Sequence, residues 1–199
     1  MTPAQILARK RLIKPWGLKS KNPVIVKDAK RIVVTVPIMG PAARRVDKAY
    51  RAAHPKHTIV KHIWQWNGSL GKRNGKAAGI VCHHAAASVA SPKDIHRWHL
   101  ARGFIGIGYH YYVRKDGSIH RGRPEWAIGA HCLGHNDMIG VCAEGNFETE
   151  TMSAKQLEAL QWLRADILGR YPGLRRYRHS DLNATACPGR KYPWTLVKG

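Results

Sequence analysis

The chain has 199 residues, of which 44% are apolar and seven are tryptophan, enough for one well-buried domain with an appendage and too apolar to be disordered throughout. Its 34 Lys and Arg against 12 Asp and Glu give a net charge of +22. Residues 1–76 hold 18 basic and 2 acidic side chains against 16 and 10 in 77–199, so the amino-terminal part seeks polyanions: nucleic acid, anionic lipid or envelope polymers.

The first fourteen residues lack the continuous apolar stretch of a signal peptide, because basic residues separate Ile6, Leu7 and Leu12. No run of about 18 apolar residues occurs, and a soluble chain without a transmembrane segment is expected. Residues 1–31, interrupted by Pro15, Gly17 and Pro23, read as a basic tail. Arg31 to Pro37 reads as a strand, Gly40-Pro41 opens a helix ending near His54-Pro55, and Thr58 to Trp66 reads as a second strand.

The glycine- and lysine-rich stretch Asn67 to Ala78 is the best linker in the sequence and sets an expected domain boundary at 76/77. Beyond it come a short apolar strand, Ile80 to His84, and a helix opened by the capping box Ser91-Pro-Lys-Asp94 and stopped at Gly103. Tyr109 to Arg114 and Ser118 to Arg121 read as a hairpin around Asp116-Gly117, and Met138 to Ala143 as a further strand. A long helix capped by Ser153 with Gln156 ends at Pro172-Gly173. Strands and helices mix from residue 77 onward, which predicts an α/β domain with a mixed central sheet.

Three segments concentrate the residues that do chemistry: GIVCHHAAAS at 79–88, GYHYYVRKDGSIHRGR at 108–123 and RHSDLNATACPG at 178–189. A His-His pair at a strand end is by itself more often structural or incidental than a metal site. Two imidazoles and one thiolate, however, are three ligands of the type Zn²⁺ prefers, and they leave a fourth tetrahedral position open for water. The spacing matches neither a zinc finger nor HExxH. The four cysteines, Cys82, Cys132, Cys142 and Cys187, show no paired spacing and read as thiols, each by default a small buried hydrophobe.

In order along the chain, IVCHH, GYHYYVRKDGSI, WAIGAHCLGHNDMIGVCAEGNF, the helix from Ser153 and RHSDLNATACPG resemble the type 2 N-acetylmuramoyl-L-alanine amidases, over about residues 77–194. That family includes phage amidase lysozymes and the peptidoglycan recognition proteins of animals. The resemblance implies an α/β domain at 77–199 with helices flanking a mixed sheet and a zinc site in a surface groove, preceded at 1–76 by a basic extension or small cell-wall-binding subdomain. It implies zinc ligands at His83, His179 and Cys187, catalytic roles for Tyr109 and Thr185, and substrate contacts from His131 and Asn136. Cytosolic members place a catalytic glutamate where this chain has Cys142, which leaves Tyr109 as the better candidate. Glu144 reads as a core or surface carboxylate. His84, His110, His120 and His135 read as packing or supporting residues, and Trp98 and Trp126 as core.

The implied reaction is zinc-assisted hydrolysis of the amide joining N-acetylmuramic acid to L-alanine, with Tyr109 or Thr185 meeting the developing oxyanion. Two alternatives stand beside it: a recognition module that binds peptidoglycan without cutting it, and, more weakly, a nucleic-acid binder working through the basic segment. The expected setting is that of a phage endolysin, a monomer held in the host cytoplasm before lysis. Residues 1–76 would then engage anionic envelope polymers or outer-membrane lipid.

Overall fold

The computed structural model describes residues 57–199 and, before them, the backbone of two strands, β1 (Val24–Asp28) and β2 (Arg31–Thr35). These pair antiparallel, from Val24 opposite Thr35 to Asp28 opposite Arg31. Part of the stretch read as a tail is therefore one strand of a ribbon. The helix expected after Gly40-Pro41 lies outside the described residues.

The central sheet has six strands in the order β3-β6-β5-β7-β4-β8. They are β3 (Ile59–Val60), β4 (Gly79–His84), β5 (Tyr111–Val113), β6 (Ile119–Arg121), β7 (Ile139–Ala143) and β8 (Arg175–Arg178). Every pairing is parallel except the β5–β6 hairpin. At its turn the Asp116 Oδ1 accepts the Ser118 N–H at 2.8 Å, and Gly117 takes φ +87°, a conformation that suits glycine. The central strands β4, β5 and β7 are buried at every residue, which is why they read as apolar runs.

Side-chain alternation divides the core into two faces. Ile80, Cys82, Tyr111, Val113, Ile139, Val141 and Ala143 pack against Leu160, Leu163 and Ile167 of α2 (Ala154–Arg170). Tyr112 and Cys142 point the other way, against Ile95 of α1 (Pro92–Ala101) and Ile107. A short α3 (Trp194–Lys198) closes the α2 side through Val197. The result is the expected mixed α/β architecture.

Both long helices begin as predicted. Ser91 Oγ accepts the Asp94 N–H at 3.2 Å while Asp94 accepts the Ser91 N–H at 3.0 Å, a complete capping box. In α2, Ser153 Oγ accepts the Gln156 N–H at 3.1 Å, but the Gln156 amide does not return the bond. Its Nε2 instead donates to Val113 O at 3.0 Å and to Glu144 O at 2.8 Å, pinning the helix to the ends of β5 and β7.

The boundary expected at 76/77 falls inside this packed unit. β3 pairs with β6, Trp64 and Trp66 pack on the α1 face, and Trp64 Nε1 donates to Arg121 O at 3.1 Å. The glycine- and lysine-rich stretch is a surface loop held by Lys72 bridging to Ala127 and by the Arg73 N–H on Trp126 O at 2.8 Å. Of the strand expected over 58–66, only Ile59–Val60 pairs. Among the described residues no helix is long and apolar enough to cross a membrane.

Candidate active site

Register brings the first two candidate ligands together. β4 pairs with β8 so that Cys82 faces Arg178, and the next residues along the two strands are His83 and His179, whose ring centroids lie 4.6 Å apart. Both stand at the carboxyl ends of parallel strands, where open α/β sheets form crevices. After His179 the chain makes a single 3-10 turn to Asp181 and loops back, closed by the Ser180 N–H on Cys187 O at 2.8 Å. Cys187 Sγ then lies 3.4 Å from the His84 N–H that donates to it and 3.7 Å from His83 Nδ1.

One donor atom from each of His83, His179 and Cys187 lies within 4.8 Å of the others. Tetrahedral zinc, with bonds of about 2.0 Å to nitrogen and 2.3 Å to sulfur, places its donors roughly 3.5 Å apart. The set fits that ion with little further closure.

The electrostatics agree with the fit. Burial, reinforced by His131 and His179, holds His83 well below the ordinary imidazole value, and burial also lowers His179 despite its Asn183 acceptor. Both rings stay neutral, the form that ligates. Burial pushes the Cys187 thiol up to about 12, only partly offset by the His84 N–H. A thiolate at this point calls for a cation beside it.

His131 and Asn136, expected to touch substrate, are engaged within the protein. Met138 O, which can only accept, lies 3.1 Å from His131 Nε2 and so takes its proton. His131 Nδ1 is then bare and accepts from His83 Nε2–H at 3.0 Å, leaving the lone pair of His83 Nδ1 toward Cys187. Room for the His131 ring depends on two glycines: a Cβ at Gly129 or Gly140 would come within 2.4 or 2.5 Å of it. Asn136 Oδ1 accepts the N–H of His131 at 2.7 Å and of Cys132 at 3.0 Å, shaping the loop. These contacts hold the His83 ring and the 131–138 loop in place.

The half-buried Tyr109 ring lies 5.1 Å from His83 and 5.4 Å from His99, centroid to centroid. Burial and the neighbouring Cys142 and Cys187 thiols hold its phenol well above the usual value, so it remains a donor. Thr185 is exposed on the ligand loop, and its Oγ1 accepts the Cys187 N–H at 3.2 Å. Cys142 stands opposite His83 in the sheet, fully buried, with its thiol pushed well up by burial; it is no substitute for a glutamate base. Glu144 is structural: it accepts from Arg114 at 3.2 Å, from the Lys115 N–H at 3.0 Å and from the Ala90 N–H at 2.9 Å.

Other histidines are stitches, as expected of His84 and His110. His84 Nδ1 accepts the Phe147 N–H at 3.1 Å and His110 Nδ1 the Gly140 N–H at 3.0 Å. Two more have roles that the sequence did not reveal: His96 and His99 accept the N–H groups of Ile107 and Gly108 at 3.1 and 2.9 Å, fastening α1 to the segment that carries Tyr109. Trp98 is partly buried against the core, whereas Trp126, expected there, is 55% exposed.

Two histidines and a cysteine thus converge at the strand ends of an open α/β sheet, a donor set of the kind that holds a metal ion. Residues 73–190 match the family model described as N-acetylmuramoyl-L-alanine amidase. The chain is 32% identical over 102 residues to the endolysin of Enterobacteria phage T3, covering 48% of this chain and 68% of that one. It is 30% identical over 158 residues to peptidoglycan-recognition protein SC1a of Drosophila melanogaster, covering 72% and 85%. Among solved structures, the endolysin N-acetylmuramoyl-L-alanine amidase LysCS from Clostridium intestinale superposes with a TM-score of 0.68 at 38% identity, covering 71% of this chain and 93% of that one. This chain belongs to the N-acetylmuramoyl-L-alanine amidase family.

Proposed function

We propose that the chain is a peptidoglycan hydrolase of the endolysin type, cutting the amide bond between N-acetylmuramic acid and the first L-alanine of the stem peptide. The observation that carries this reading is the convergence of His83, His179 and Cys187 in a chain of the amidase family. Those three residues would hold Zn²⁺, which when bound lowers the pKa of water and polarises the scissile carbonyl.

The chain's own residues supply the rest. Kept neutral, the buried His83 and the half-buried His179 offer lone pairs rather than protons. Tyr109, a protonated phenol whose ring lies beside that of His83, donates to the carbonyl oxygen as negative charge gathers there, and Thr185 offers a second hydroxyl from the ligand loop. The alanine nitrogen needs a proton to leave, and it takes the one given up by the attacking water, relayed by a solvent water or through Tyr109 Oη, which gives one proton and regains another.

The polycationic residues ahead of the described domain, 14 basic and 2 acidic over 1–56, fit attachment to a polyanionic envelope after release from the host cytoplasm. The testing experiment is mass spectrometry of peptidoglycan digested by the purified chain. Free stem peptides and intact glycan ends are expected; an undigested wall with bound protein would indicate a recognition module, and cut glycan a glycosidase.

A further inference from the structure

Asn183 lies in the loop between His179 and Cys187. Its Oδ1 is 3.1 Å from His179 Nε2 and 3.0 Å from Cys132 Sγ, and its Nδ2 is 3.2 Å from Leu133 O. A main-chain carbonyl only accepts, so the amide nitrogen faces Leu133 and the oxygen faces the ring and the thiol. His179 Nε2 must then carry the proton, and the lone pair is left on Nδ1.

That outcome repeats the one reached at His83, where Met138 O orients His131 and His131 orients the ligand. Both deciding carbonyls, Leu133 O and Met138 O, sit on one segment, and Asn136 Oδ1 folds that segment by taking the His131 and Cys132 N–H groups. Two relays that share no side chain thus set both imidazoles the same way round from a common base. Reversing His179 would point an N–H at the metal position and leave Asn183 Oδ1 without its ring donor.

We propose that Asn183 is a positioning residue: with Cys132 and the 131–138 segment it locks His179 so that Nδ1 faces the metal. The inference rests on the zinc reading above and specifies which chain atoms make it possible.

The test uses the full-length chain, zinc competition against a chromophoric chelator, and long-range ¹⁵N–¹H correlation of the imidazoles. In the metal-free wild type, His179 is expected to carry its proton on Nε2. Asn183→Leu should lose about 10- to 100-fold in zinc affinity and populate the Nδ1–H form, while Asn183→Asp, which keeps the acceptor, stays within a few-fold of wild type. Asn183→Leu with wild-type affinity and an unchanged tautomer overturns the proposal. So does Nδ1–H at His179 in the wild type, a readout that needs no variant to fold. A wild-type chain that takes up no zinc overturns the metal reading itself and this role with it, whereas zinc uptake indifferent to Asn183 removes only the latter.

Discussion

Gly140 illustrates at the residue scale how little room surrounds the ligand histidines. A methyl group there would meet the Cδ2, Cγ and Nε2 atoms of His131 at 2.5 to 2.7 Å, inside van der Waals contact, in a strand with no freedom to retreat. Gly140→Ala should therefore push the His131 ring off His83 Nε2 and lower zinc affinity by roughly tenfold, the scale of losing a group that orients a ligand. Chelator competition reads this directly, and an unchanged affinity would refute the support assigned to His131. The trio His83, His179 and Cys187, which the fold brings together, could be named in the sequence through the family resemblance of the segments that carry it, not through its spacing. The supports could not: which nitrogen of His131 carries a proton depends on Met138 O, a main-chain atom whose place only the folded loop defines.

Among the elements, Gln156 ties α2 to the sheet from a fully buried position. Gln156→Leu keeps the bulk but strands the carbonyl of Glu144 and leaves that of Val113 with the Glu144 N–H alone, and a loss of about 1–2 kcal/mol is expected in denaturant unfolding, with the ligand geometry spared. α1 and α2 could be read from their caps and helical spacing. β8 could not, since Arg-Arg-Tyr-Arg has neither apolar alternation nor burial to announce it; it forms because β4 offers a parallel partner. The loop at 67–78 misled for the related reason that glycine and lysine mark an exposed loop and a linker alike. What separates the two is the pairing of Ile59–Val60 and the packing of Trp64 and Trp66, which are long-range facts.

For the whole molecule, two predictions follow from how distant parts are joined. Glu125, with a side chain 11% exposed, accepts from Tyr111, Tyr171 and Arg170 and so links β5 to the end of α2. Burial would raise its carboxyl, but Arg170, Tyr111 and Arg121 outweigh that and bring it from 4.5 to about 2. Since the folded value is the lower one, its contribution is complete above pH 4.5 and drains away as pH falls toward 2. After allowance for solvent screening this amounts to about 1–2 kcal/mol. Glu125→Gln should flatten that part of the stability–pH curve, and a variant with the wild-type slope would contradict the assignment.

Truncation tests the other junction. A chain starting at residue 57 should fold and cut purified peptidoglycan while losing salt-sensitive attachment to whole cells. One starting near Gly75 lacks β3, Trp64 and Trp66, and its Tm should fall by at least 5–10 °C, on the order of one to two kcal/mol. Equal Tm values for the two would place the domain edge where composition first suggested.

Most direct of all is stem-peptide release measured while the chelator-stripped full-length chain is titrated with zinc. Cleavage should be absent at the start, rise to a plateau at one equivalent, and never appear in a Cys187→Ala chain that takes up no metal. Undiminished amide cleavage by the stripped chain, or by Cys187→Ala, would contradict the account.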